Sequence, residues 1–238
     1  APFSNTRSVA ELTLAEIIML TRRIPQRNAD MHAGRWHKSA TGAREVRGRT
    51  LGIIGYGHIG SQLSILAESL GMQVIFHDIV PKLPLGTARA MPSLNALLAE
   101  SDIVSLHVPA TPLTNLMFGA EQIAHMKPGA IVINNARGNV VDLDALHAAI
   151  SDERIGGAAI DVFPEEPDSR EAGFQSALAG LPNVLLTPHI GGIVEFYRLE
   201  NDKLNVVAQI PGFRSHKIGS RNLDMAVAGD FDGGGRVE

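Results

Sequence analysis

From residue 50 onward, short apolar runs alternate with amphipathic stretches, a pattern that predicts consecutive strand–helix–strand units. The runs at 51–54, 73–77, 103–107, 130–134, 158–162 and 184–187 have strand length, while 59–70, 94–100 and 142–150 carry apolar residues at helical spacing. Ahead of this block, Val9, Leu12, Ile17, Leu20 and Ile24 form a stripe that predicts an amphipathic helix, with Arg22 and Arg23 at its end and Pro25 kinking or ending it. Residues 26–48 are polar, basic and punctuated by glycine, and hold the only tryptophan, Trp36; they read as an arm leading into the main domain. No internal repeat or heptad run competes. Units of this kind, joined by right-handed crossovers, give a parallel sheet whose strand C-termini, and the loops after them, share one edge. Ligands of such sheets bind at that edge.

Composition narrows the function. Hydrophobic residues make up 45% of the 238 and charged residues 19%, the balance of a folded globular chain. A net charge of -4 argues against broad electrostatic binding to nucleic acid or anionic membrane, so the expected partner is a small molecule. No apolar run approaches the roughly 20 residues of a membrane span. The N-terminus lacks the layout of a signal peptide, and a cytoplasmic location is expected. With no cysteine, disulfides, thiolate catalysis and Cys-based zinc sites are excluded. His32, His37, His125, His147 and His216 show no ligand spacing, and no metal site is expected. The chain opens Ala-Pro-Phe without a methionine, a few residues before its first helical pattern, from which a preceding segment is expected.

Gly55, Gly57 and Gly60 form G-x-G-x-x-G between the strand 51–54 and the helix 59–70. Three glycines in a glycine-rich chain can mark an ordinary turn. In this context they allow a tight turn, approach of backbone to a pyrophosphate and close helix packing, with the helix N-terminus favouring negative charge. The fold class is therefore α/β, a Rossmann-like doubly wound parallel sheet with an N-terminal helical arm. Asp78, at the end of the second strand, is either a turn residue or the acid that accepts from the ribose hydroxyls and disfavours a 2′-phosphate; nearby His77 and Arg89 soften that preference. Arg137 follows the strand 130–134, Asp161, Glu165 and Glu166 follow the next, and His189 follows the last. An isolated Arg at such a place is more often a surface ion-pair partner. A cation, carboxylates and a His at strand ends of one sheet make a site the better reading.

The segments LGIIGYGHIG, SDIVSLHVP, MKPGAIVINNARG, AAIDVFPEEP and NVLLTPHIGG occur in the order found in the D-2-hydroxyacid dehydrogenases, and residues 51–192 resemble the nucleotide-binding domain of that family. The opening APFSNTRSVAE and the stretch HDIVPKLPLG are most similar to the bacterial branch that oxidises 3-phosphoglycerate, the first step of phosphorylated serine biosynthesis. The resemblance implies NAD as cofactor and a 2-hydroxyacid or 2-oxoacid as substrate. It makes Arg137 the grip on the substrate carboxylate, His189 the general acid/base at the 2-hydroxyl, and Glu166 the partner of His189, with Glu165 a solvent-facing neighbour. His58 and Ile59 would offer backbone to the pyrophosphate beside Gly55, Gly57 and Gly60. His107, Val108, Pro109, Asn135, Ala136, Asp161, Gly191 and Gly192 would line the cofactor cleft, and Asn5 the substrate side. The arm with Trp36 implies a homo-oligomer through the nucleotide-binding domain.

On this reading residues 1–192 are the NAD-binding domain, including the helix and arm of 1–49, and a substrate-domain segment precedes them. The resemblance stops at Gly192, where Ile193, Val194, Glu195, Phe196 and Tyr197 stand in place of the family's returning helix. Residues 193–238 are a divergent tail, expected to be partly disordered, above all at 229–238, and a shifted reading frame would produce such a break. Two other functions fit the same fold: a sibling glyoxylate or hydroxypyruvate reductase, and a non-enzymatic NAD(H)-sensing module like the corepressors of this fold.

Overall fold

In the computed structural model, which describes residues 5–167, 173–200 and 203–211, two helices precede the sheet: α1 (Thr6–Thr21) and α2 (Ile24–His32). Then come β1 (Thr50–Ile54), α3 (His58–Ser69), β2 (Gln73–His77), β3 (Arg89–Ala90), α4 (Leu94–Glu100), β4 (Ile103–Leu106), α5 (Ala120–His125), β5 (Ala130–Asn134), α6 (Leu143–Ser151), β6 (Ile155–Ile160) and β7 (Val184–Leu186). The seven strands lie in the order β3-β2-β1-β4-β5-β6-β7, and every neighbouring pair is parallel. The chain builds outward from β1 to β3, then returns and builds the other way from β4 to β7. The reversal between β1 and β4 opens a crevice at their C-terminal ends, since the loops after them turn to opposite faces.

Both faces of the sheet are covered, as near-continuous apolar strands require. On one face α1 and α3 bury Ala10, Ile17, Leu20, Leu63 and Ala67 against Leu51, Ile53, Ile131, Ile133 and Ala159. On the other, Leu97 and Leu98 of α4, Ile123 of α5 and Leu146 and Ile150 of α6 pack on Val104, Leu106, Val132 and Ile160. Beyond the sheet, β8 (Ile193–Glu200) and β9 (Lys203–Pro211) form a separate antiparallel pair. Residues 229–238, where disorder was expected, lie outside the described residues.

Three expectations are corrected. The first helix, expected to reach Ile24, stops at Thr21, because Arg23 takes a left-handed backbone (φ 55°). Pro25 then sits in the first turn of α2, where its missing N–H is not needed, so it opens a helix instead of closing one. The sixth strand runs Ile155–Ile160 and not 158–162. Its glycines hid it: a Cβ on Gly157 would meet the Asn183 carbonyl oxygen at 2.6 Å, so close approach of the next segment excludes the side chains that mark a strand.

Candidate functional site

The glycine loop joins β1 to α3 at the crevice. Gly55 has φ +90°, and a Cβ there would meet the His107 carbonyl oxygen at 2.6 Å; on Gly60 it would meet the Gly55 oxygen at 2.3 Å. Both must be glycine for the loop to lie this close to β4 and for α3 to start this close to β1. A Cβ on Gly57 would meet no atom within 4 Å, so here the glycine leaves the loop backbone open from outside. No side chain caps α3, and its first residues, His58, Ile59 and Gly60, direct N–H groups out of the helix end. Amides at a helix N-terminus beside bare backbone suit a phosphate group. Asp78 braces this cradle, accepting from Tyr56 N at 2.8 Å and Val80 N at 2.9 Å. The side chains expected to offset it are engaged elsewhere: Arg89 pairs with Glu100 at 2.8 Å, and His77 Nδ1 lies 3.1 Å from the Met91 carbonyl.

Along the same edge, three loops following β5, β6 and β7 are fastened to one another. Asn134 ends β5 fully buried; its amide donates to the Arg137 carbonyl at 3.0 Å and accepts from Ala136 N at 3.1 Å, fixing the turn that presents Arg137. Gly138 follows, packed so tightly on the Phe163–Pro164 backbone that a Cβ would lie 1.9 Å from the Phe163 carbonyl carbon. That contact joins the Arg137 loop to the loop carrying Glu166. Glu166 Oε2 lies 2.9 Å from His189 Nδ1, while Glu165 is exposed. His189 has φ +55°, a conformation unusual for a residue with a side chain. Its backbone is held there by N–H donation to the Asp161 carbonyl at 2.8 Å. The buried Asp161 carboxylate accepts from Thr187 Oγ1 (2.6 Å), Ile190 N (2.9 Å) and Gly191 N (2.8 Å), so this residue organises the whole 187–191 loop.

Helix α1 ties these loops from behind. Ser8 Oγ donates to the Gly191 carbonyl at 2.9 Å and also bonds the carbonyl of Asn5, the residue that begins the helix. Asn135, expected in the cleft, commits its amide to α1 instead, donating to Thr13 Oγ1 at 2.9 Å and Glu16 Oε2 at 2.7 Å. Glu16 is 2 % exposed. Burial pushes its carboxyl up to about 8; the hydrogen bond from Asn135 works against that shift and the charge of Asp161 adds to it. His107, after β4, is held neutral: burial lowers it to about 4, and its Nε2 lies 2.9 Å from Ser105 Oγ. Its neighbour Val108 lies under the Gly55 turn, and Pro109 accepts from Thr114 Oγ1 at 2.6 Å.

Two residues with structural hold on the site, Asn134 and Glu16, were not singled out from the sequence. The Asn-Asn pair at the end of β5 was a usable signal for the first, since an amide at a strand end can bracket the turn that follows. A cavity of about 510 Å³ lies at the opposite edge of the sheet, against Arg49, Ile103, Ala130, Ile155 and Asn183, away from all of these groups. Among the described residues no group of three His, Asp or Glu could hold a metal ion, and no helix is long and apolar enough to cross a membrane.

Comparison with known proteins bears on the family and the fold. Over 192 residues the chain is 62% identical to D-3-phosphoglycerate dehydrogenase of Haemophilus influenzae, covering 81% of this chain and 47% of that protein. Against the enzyme of the same name from Escherichia coli it is 55% identical over 210 residues, covering 88% and 51%. The chain thus spans about half the length of these relatives. Among solved structures it is similar to a D-lactate dehydrogenase of Aquifex aeolicus complexed with NAD and lactic acid, with 35% identity and a TM-score of 0.72 over 80% of this chain and 61% of that one. A D-lactate dehydrogenase of Sporolactobacillus gives 39% and 0.73 over 79% and 59%. Residues 14–191 match the NAD binding domain of the D-isomer specific 2-hydroxyacid dehydrogenases, the family to which this chain belongs.

Proposed function

We propose that the chain is the nucleotide-binding part of a dehydrogenase acting at C2 of 3-phosphoglycerate. The observation that carries this reading is the Glu166–His189 pair at 2.9 Å, on loops fastened to that of Arg137 and sharing the sheet edge with the glycine cradle. The names of the relatives support the choice of substrate. NAD suits the cradle, and when bound it supplies the hydride acceptor. The amides at the start of α3 hold the pyrophosphate, and Asp78 retains lone pairs for the ribose hydroxyls. Arg137 binds the substrate carboxylate as a planar donor pair. Glu166 engages His189 Nδ1, which leaves Nε2 to take the proton from the 2-hydroxyl and to return it in the reverse direction. Asp161 and Asn134 hold the loops on which these groups sit. In this reading residues 1–192 form one nucleotide-binding unit with 193–238 appended. The protein works in the cytoplasm on a small molecule, with neither nucleic acid nor membrane as partner. It also assembles from more than one copy, which Trp36, 78% exposed on the arm, supports. The test is NADH formation by the complete gene product with 3-phosphoglycerate beside D-lactate and glycerate; a preference for an unphosphorylated acid would overturn the substrate assignment.

The position of Asp78 also sets the cofactor expected to bind better. NAD(H) should bind at least about tenfold more tightly than NADP(H), because a 2′-phosphate would face the carboxylate and Arg89 is paired away from it. Asp78→Asn is the informative variant. It keeps an acceptor for the loop amides that alanine would abandon, and it should narrow the ratio between the two cofactors. Equal affinities of the wild type for both, by calorimetry, would refute the assignment.

A further inference from the structure

Glu16 and Asn135 are joined by one hydrogen bond, from Asn135 Nδ2 to Glu16 Oε2 at 2.7 Å, yet the other carboxyl oxygen, Glu16 Oε1, and the amide oxygen, Asn135 Oδ1, are buried without a hydrogen-bond partner. The amide cannot be turned over to remedy this. Thr13 donates its hydroxyl proton to the Val9 carbonyl at 2.8 Å and so needs a donor, which Asn135 Nδ2 provides at 2.9 Å. Two acceptors left bare in a buried place cost free energy, and one proton between them satisfies both. We infer that Glu16 carries a proton on Oε1 and shares it with Asn135 Oδ1 as a cyclic acid–amide pair, and that Glu16 is thereby a positioning residue for the Arg137 and His189 loops. The inference rests on the function proposed above for those loops.

The surroundings favour the neutral acid. Asp161, after β6, is the charged group that acts on Glu16, and it disfavours a second negative charge. Four of the elements around α1 present apolar side chains to it: Leu63 and Ala67 from α3, Ile133 from β5, Ala159 from β6 and Leu185 from β7; α2, which also adjoins α1, carries Arg27, Asp30 and His32, none of them buried. The sequence of β8 contains Glu195, Arg198 and Glu200. Ionising Glu16 removes the acid–amide contact and sets two buried carboxylates near each other, one under the Arg137 turn and one inside the His189 loop. Because the folded carboxyl is raised to about 8 from its ordinary 4.5, the pair stabilises the fold fully below about pH 4.5, and the contribution is lost as pH rises toward 8.

The test separates this role from a merely structural one by its pH dependence. Asn135 and Asp161 stand beside the cofactor edge, so NADH affinity, followed by NADH fluorescence on this chain, should weaken about tenfold from pH 7 to pH 9 as the protonated fraction falls. E16Q reproduces the pair as an amide–amide pair at every pH, and its affinity should change less than about twofold over the same range. E16A keeps neither hydrogen bond and should bind more weakly than E16Q at pH 7. The carboxyl 13C signal present in wild type and missing in E16Q should titrate near pH 8. Parallel pH profiles for wild type and E16Q, or a Glu16 carboxyl already ionised at pH 6.5, would overturn the inference. Failure of every variant to bind NADH at any pH would instead overturn the cofactor reading, and the 13C titration would still decide the state of the pair.

Discussion

Replacing His189 by alanine is expected to lower kcat of the complete enzyme by about two to four orders of magnitude while NADH affinity stays within a few-fold of wild type. The expectation follows from what holds the residue. Its position depends on backbone bonds to Asp161 and on the Asp161 carboxylate, which grips Thr187, Ile190 and Gly191, and none of these involves the imidazole. Alanine at φ +55° suffers the same left-handed strain as histidine, so the loop keeps its shape and loses only its proton carrier. Steady-state turnover and a separate NADH titration resolve the two effects. Glu166→Gln is the companion variant: it keeps the size of the partner of Nδ1 and removes its charge, and should cost less than the loss of the ring. A His189→Ala enzyme within tenfold of wild-type kcat would show that the proton is carried by another group.

The second large effect is expected at Gly138. A Cβ there would lie 1.9 Å from the Phe163 carbonyl carbon, 2.1 Å from its oxygen and 2.4 Å from Pro164 N. All three atoms are backbone, so no rotamer change can make room; the Arg137 and Glu166 loops must move apart. Overpacking of this kind costs about 1–3 kcal/mol, and Gly138→Ala should melt roughly 4–10 °C lower than wild type. Turnover should fall further than stability does, because the displaced loops carry the cation and the carboxylate of the proposed chemistry. Gly57→Ala is the contrasting case: its added Cβ meets no protein atom, so melting should be nearly unchanged while NADH binding weakens. A Gly138→Ala protein that melts and turns over like wild type would mean that the two loops are not locked together.

Apolar periodicity was enough to foresee the parallel sheet, because strands buried on both faces are continuous runs of residues such as Ile103 and Val104 or Ile131 to Ile133. It was blind where side chains were absent for steric reasons, as at Gly156 and Gly157 of β6, and where elements were too short for a period, as in β3 and α5. The tail read as divergent contains the β8–β9 pair, with strand partners from Ile193 and Pro211 down to Glu200 and Lys203. At the site, Arg137, Glu166 and His189 could be found from their places after strands. Glu16 could not. On a helix it reads as one more polar residue, and only the fold shows that positions 9, 10, 13, 16, 17, 20 and 21 form the buried face. Its partner lies 119 residues away in sequence, beyond the reach of any local pattern.

Those distant bonds also set an order of events. The contacts that fasten α1 behind the site join Glu16 to Asn135, Leu20 to Asn183 and Ser8 to Gly191, separations of 119, 163 and 183 residues. Helix α1, made before the sheet, therefore meets its polar partners only when β5, β6 and the segments around β7 exist, and closing loops of such length comes late in folding. Until then Glu16 is a solvated carboxyl, ionised at neutral pH. When α1 settles against the sheet its carboxyl is raised to about 8, so at neutral pH completing the site takes up a proton from solvent.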